Sequence, residues 1–241
     1  MNERYEAEVL QGRRIAAGNE HVWGWSSAAG RIRADRRARF LIGAARLRPG
    51  VRCLELGCGT GEFTTRLVDS GCELTAVDIS EASVERCRER VGGAAEVLVG
   101  NVETGEGLEA REFDAVVGVS VLHHVDVRAC LAAIVPLVAR GGRFAFTEPN
   151  RANPQVWAER RFEPIRRARH VLPHETSFFP RELRALFEER GLRVDVAEPF
   201  EFLHAVTPRP LIGAVQRVER LLESTPARAI AGSVRIAATK P

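Results

Sequence analysis

An open, doubly wound α/β sheet is the fold class this sequence predicts, on three observations. Val51-Arg52-Cys53-Leu54-Glu55-Leu56 is a short apolar run with a β-branched start and reads as a buried strand. It ends in Gly57-Cys58-Gly59-Thr60-Gly61, and Glu62-Phe63-Thr64-Thr65-Arg66-Leu67-Val68 then reads as a helix. Further strand-like runs at 73–77, 94–99, 113–119 and 143–150 alternate with helical stretches. A strand, a glycine turn and a helix are how such a sheet builds a nucleotide site. Glycine is required there because the turn can need positive φ and because a Cβ would keep a ligand off the backbone.

Composition narrows the class. With 241 residues, 45% apolar and 28% charged, the chain suits one globular domain with additions. No apolar run approaches the ~20 residues of a membrane span, and the polar, acidic start Met1-Asn2-Glu3-Arg4-Tyr5-Glu6 is no secretory signal. Five cysteines without a C-x-x-C read as reduced core thiols of a cytoplasmic protein, with Cys58 set apart by its place in the glycine turn. A net charge of +3 is too mild to argue for nucleic acid. Lys240 is the only lysine, which excludes lysine catalysis so near the C-terminus.

In chain order, residues 1–30 read as irregular. Trp23-Gly24-Trp25 there suggests either an edge plug or a lid over the ligand. An arginine-studded helix is expected over 31–47, stopped by Arg48-Pro49-Gly50; Arg31, following the tryptophan loop, is placed to meet a carboxylate. The second strand ends in Asp78, about 20 positions after the glycine turn, where an acidic residue takes ribose hydroxyls; capping the helix that begins at Ser80 is the alternative. Ile79 beside it could pack on a base. The third strand leads to Gly100-Asn101-Val102-Glu103, in which Asn101 offers an amide acceptor.

The buried strand Phe113-Asp114-Ala115-Val116-Val117-Gly118-Val119 runs into Ser120-Val121-Leu122-His123-His124-Val125, placing both histidines at a carboxyl strand end, which faces the ligand crevice. A helix is expected over 127–140, interrupted near Pro136 and ended by Gly141-Gly142 before a strand that closes on Glu148. Residues 151–179 and 205–228 read as insertions on the acceptor side, the second carrying an amphipathic helix with Leu211, Ile212, Val215, Val218, Leu221 and Leu222 on one side. Pro180 starts and Gly191 follows a helix; 192–198 and 233–238 read as strands. His170 and His174 have metal-pair spacing, but Pro173 argues against the helix that would align them, so no metal is expected.

The pattern E-x-G-x-G-x-G over 55–61 lacks the third glycine of a dinucleotide fingerprint, since position 62 is Glu62. It resembles motif I of the class I S-adenosylmethionine-dependent methyltransferases, and F-D-A-V-V-x-x-x-V-L-H-H-V resembles the small-molecule, UbiE-like or type 11 group. The resemblance covers roughly 50–150 by motif and the C-terminal part by element order. It implies a Rossmann-like, seven-stranded mixed sheet with an antiparallel C-terminal strand. One domain would then comprise lid and helices at 1–48, a cofactor core at 49–150, the two insertions, and sheet elements at 180–204 and 229–241.

The resemblance also implies S-adenosyl-L-methionine as cofactor, held by Glu55, Gly57, Cys58, Gly59, Asp78, Ile79, Asn101, Val102 and Ser120, with Trp25 and Arg31 contributing from the N-terminal segment. Many family members have aspartate where Asn101 stands, which leaves the adenine contact less firmly placed. The expected activity is small-molecule methylation of the natural-product kind, chiefly on oxygen, with nitrogen, carbon or sulfur acceptors open. An oxygen acceptor of high pKa needs a general base, for which His123 and His124 lead, followed by His174 and Glu148; packing or structural roles compete for each. Phe178, Phe179, Phe200 and Phe202 favour a partly apolar acceptor. RNA or protein methylation, a regulatory binder without transfer activity, and a homodimer stay open.

Overall fold

The computed structural model describes residues 3–19 and 24–241. Seven strands form one sheet in the order β3-β2-β1-β4-β5-β7-β6. They are β1 (Arg52–Leu56), β2 (Glu73–Asp78), β3 (Glu96–Val99), β4 (Phe113–Val119), β5 (Val138–Pro149), β6 (Arg193–Phe200) and β7 (Ser233–Thr239). The first five are parallel, and β7 inserts antiparallel between β5 and β6. Strand order reverses at β1 and β4, so their carboxyl ends open the crevice in which ligands of such sheets bind. Alternation divides the core. Leu54, Leu56, Val116, Phe144 and Phe146 pack toward α5 (Val127–Ile134) and α8 (Pro180–Glu188). Cys53, Val117 and Ala145 pack toward α2 (Ala28–Ala44) and α3 (Thr64–Val68).

Three local expectations change. Two helices are described within the first 30 residues: α1 spans Glu3–Arg14, and α2 begins at Ala28, capped by the Ser27 hydroxyl, which accepts from Gly30 N. No residue of α1 is buried, so the helix carries no apolar stripe to reveal it; Glu3 and Glu6 in the first turn and Arg13 and Arg14 in the last instead suit the helix dipole. Trp23 lies outside the described residues. In the middle of the chain, α5 ends at Ile134 and β5 starts at Val138 rather than at 143, because Val138 pairs with Phe113 before a register shift. Gly141-Gly142 therefore forms that irregularity within the strand, and does not end a helix. Finally, the helix in the second insertion, α9 (Ile212–Glu223), buries Ile212 and Glu219 but leaves Leu211, Val218 and Leu221 exposed. The five cysteines are free and buried.

Candidate active site

The glycine turn leaves β1 with Gly57, Gly59 and Gly61 all at positive φ (66, 51 and 88°). It is tied to β2 by Gly57 N and Cys58 N, which donate to Val77 O. At Gly57 the backbone also runs so close to Val121 that a Cβ would fall 2.5 Å from its Cγ2. Asp78, half-buried at the end of β2, accepts from Gly59 N and from Ser80 N, both at 2.9 Å. Burial pushes its carboxyl above the usual range, and these two N–H groups offset part of that. The cap of α4 (Glu81–Val91) is Ser80 itself, so Asp78 buttresses the glycine turn without serving as the cap residue.

Beneath the turn, Glu55 is buried and pushed up to about 8 by desolvation, with the Thr64 hydroxyl opposing. Its Oε2 and the Thr60 Oγ1 are buried without a hydrogen-bond partner among the described residues. Ile79 is half-buried beside Asp78, whereas Val102 and Cys58 are core side chains. Asn101 Oδ1 accepts from Glu103 N at 2.9 Å, so its amide shapes its own turn.

The two histidines separate chemically. Glu148, fully buried at the end of β5, accepts from Val121 N (3.0 Å) and Leu122 N (2.9 Å) through one oxygen, and its other oxygen lies 2.8 Å from His123 Nδ1. Both Glu148 oxygens are thus engaged within the protein, the structural arrangement that competes with direct deprotonation of an acceptor. Burial pushes Glu148 up to about 7, opposed by the two backbone donors. Burial and the neighbouring His124 charge hold His123 well below its usual value, so it is neutral. Its Nε2 lies 3.7 Å from Glu175, beyond hydrogen-bond reach, and Thr176 N from the first insertion donates to His123 O.

His124 behaves oppositely. Burial depresses its pKa, but the Glu8 carboxylate 2.9 Å from Nδ1 overrides that and raises it to about 9. His124 is therefore an imidazolium at neutral pH and no base, a correction that only the arrival of α1 reveals. The same Glu8 oxygen lies 2.5 Å from His174 Nε2, so His174 serves this contact between α1 and the first insertion. These are hydrogen-bond separations, although the three ligand atoms lie within 4.8 Å of one another. His170 is exposed.

Arg4 and Tyr5 of α1 reach Glu103, and a Cβ on Gly12 would meet Ser80 at 2.4 Å; α1 thus lies along the Asp78–Glu103 edge, held by polar contacts. Because the folded pKa of His124 exceeds its ordinary value, its stabilisation of this docking is complete below about pH 6.5 and is lost as pH rises through about 9. Amide exchange of α1 should therefore accelerate in Glu8→Gln relative to the parent at pH 6, a gap of roughly 2–3 kcal/mol that closes above pH 9. A gap that stays constant across that range would refute the latch.

Other expectations move. Arg31 is exposed and donates to Ser26 O at the surface. Arg37 occupies the inner position: buried on the α2 stripe with Ala34, Ala38 and Leu41, it reaches Ser120 Oγ at 3.3 Å and Glu201 at 2.5 Å and lies over the Trp25 ring. Its place on that stripe was the signal available in the sequence; for Glu8, on a polar helix, none existed. Ser120 and Glu201 both have positive φ, backbone strain held in place around one guanidinium. Trp25 packs edge-on against Phe63 at the glycine turn. Phe178 and Phe200 are core residues, Phe179 lies under Arg151 and Arg181, and Phe202 is half-buried. A cavity of about 420 Å³ lies between α5 and α8, lined by Arg128, Arg151 and Phe178, away from the glycine turn.

Comparison with known proteins gives this geometry a family. The methyltransferase domain model matches residues 54–146. The chain is 31% identical to a ubiquinone biosynthesis O-methyltransferase of Xanthomonas axonopodis pv. citri over 163 residues, 63% of this chain and 67% of that protein. It is 27% identical to nodulation protein S of Rhizobium tropici, with 55% of this chain and 58% of that protein covered. Among solved structures, the N-methyltransferase NodS of Bradyrhizobium japonicum with S-adenosyl-L-homocysteine matches at TM-score 0.65 and 16% identity, over 97% of this chain and 99% of that one. The fold and the glycine turn define a doubly wound α/β protein with a nucleotide-type turn after its first strand. The chain belongs to the S-adenosylmethionine-dependent methyltransferases, and S-adenosylmethionine is its methyl donor. Among the described residues, no helix is long and apolar enough to cross a membrane.

Proposed function

We propose that this methyltransferase acts on an oxygen of a small organic acceptor, with His123 taking the acceptor's proton. The observation that carries this reading is the buried pair of Glu148, at the end of β5, and His123, just after β4. With Glu148 ionised, Nδ1–H donates to it and Nε2 keeps its lone pair, the tautomer a general base requires. An amine acceptor, once neutral, attacks without such help, whereas a hydroxyl of high pKa does not. The ubiquinone biosynthesis relative is an O-methyltransferase, which agrees.

When bound, S-adenosylmethionine would supply an electrophilic methyl group on its sulfonium, whose sulfur would keep the C–S bonding pair when the methyl passes to the acceptor oxygen. The residues of the chain provide position and exclusion of water. Asp78 would take the ribose hydroxyls, the turn at Asn101 and Val102 with Ile79 would border the adenine, and Gly57, Cys58 and Gly59 would give backbone approach. Glu55 holds the turn from below, Ser120 and Trp25 border the methionine end, and α1 with the first insertion covers the acceptor. The test is formation of S-adenosylhomocysteine with matched small hydroxyl and amine acceptors. Turnover on hydroxyl compounds that requires His123 is expected; turnover confined to amines would overturn the assignment to oxygen.

A further inference from the structure

Of the ten large apolar side chains exposed among the described residues, eight lie within 151–179 and 205–230, under a quarter of the chain. The most open are Val206 (73%), Leu221 (65%), Val218 (54%), Leu211 (53%) and Trp157 (51%). The two segments adjoin: Gln155 of α6 (Pro154–Arg161) meets His204 at 3.1 Å, and Asn153, its cap, donates to Ile230 O at 2.8 Å. Val218 and Leu221, three apart, share one side of α9, and Arg217 and Arg220 flank them. Arg166, Arg209, Arg217 and Arg220, all in these segments, have no carboxylate partner among the described residues. Their acidic neighbours are already engaged: Glu159 with Arg169, Glu175 with Arg160, Glu219 and Glu223 with Arg36.

We infer that this face docks on an anionic lipid surface. Exposed aliphatic side chains beside unpaired arginines match a layered partner, phosphate at the level of the guanidiniums and acyl chain beneath. A second copy of the chain is a poorer occupant, because a two-fold contact would bring the same unpaired arginines against one another. Docking through the insertions that flank the proposed acceptor mouth would let an acceptor dissolved in the lipid enter without crossing water. The docking itself does not depend on which atom is methylated.

Flotation with vesicles of phosphatidylcholine alone and of equal parts phosphatidylglycerol and phosphatidylcholine tests this with the full chain. The parent should float with the anionic vesicles at least tenfold better than with the neutral ones, and less so at high salt. Val218→Asp/Leu221→Asp and Arg217→Glu/Arg220→Glu should each reduce anionic-vesicle binding by about tenfold or more, with S-adenosylhomocysteine affinity and helical circular dichroism unchanged because these side chains face outward. Failure of the parent to float, or variants that float equally well, would overturn the inference. So would a dimer in solution that Val218→Asp/Leu221→Asp converts to monomer, since the face would then join two copies. None of these outcomes alters the methyltransferase assay, so the two proposals fail separately.

Discussion

His123→Ala is expected to lower turnover on a hydroxyl acceptor by about 10²–10⁴-fold while S-adenosylhomocysteine affinity, by calorimetry, stays nearly unchanged. The size follows from a positioned base and not from the proposed ribose and adenine contacts, which lie at the end of β2 and in the turn after β3. Glu148→Gln should cost nearly as much. The glutamine oxygen can still accept from Val121 N and Leu122 N, but its amide N–H₂ then faces His123 Nδ1 and forces the proton to Nε2, the wrong tautomer. The double variant should be little worse than either single one, because the two residues act as a unit. Since the pair works with Glu148 ionised, kcat/KM should fall as pH drops through about 7. Full activity in His123→Ala would reduce the pair to a packing feature, and additive losses would break the positioning argument.

Asp78→Ala is expected to weaken S-adenosylhomocysteine binding by about 1.5–3 kcal/mol, roughly ten- to hundredfold, for loss of a charged hydrogen-bond acceptor. Two sources contribute: the proposed ribose contact, and the bonds from Gly59 N and Ser80 N that hold the turn against the start of α4. Asp78→Asn separates them. Its remaining oxygen keeps one backbone bond and its amide can donate to a ribose oxygen, so it should fall between Ala and the parent. Titration calorimetry showing parental affinity in Asp78→Ala would remove Asp78 from the cofactor site.

Much of the cofactor half was legible in the chain because its determinants are local. The glycines at 57, 59 and 61 and the acidic end of β2 follow from backbone requirements that a few adjacent residues satisfy. Strands buried on both faces announce themselves as apolar runs, and all seven fall near their expected places. α1 was illegible for the opposite reason: it buries nothing, so it has no apolar period, and it is held by polar contacts to Glu103, His124 and His174 far along the chain. The apolar side of α9 was legible but its exposure was not, because an apolar stripe does not say what, if anything, packs on it.

By itself, then, the sequence determined the doubly wound sheet, the glycine turn after its first strand and the two histidines at the end of β4. Which of two adjacent histidines can take a proton was decided only by tertiary structure. Their identical side chains acquire opposite charge states because β5 brings Glu148 beneath one, in a dry site that keeps it neutral, and α1 brings Glu8 to the other, where a close carboxylate keeps it charged. A pKa is a property of what surrounds a group, and these surroundings come from residues 25 and 116 positions away.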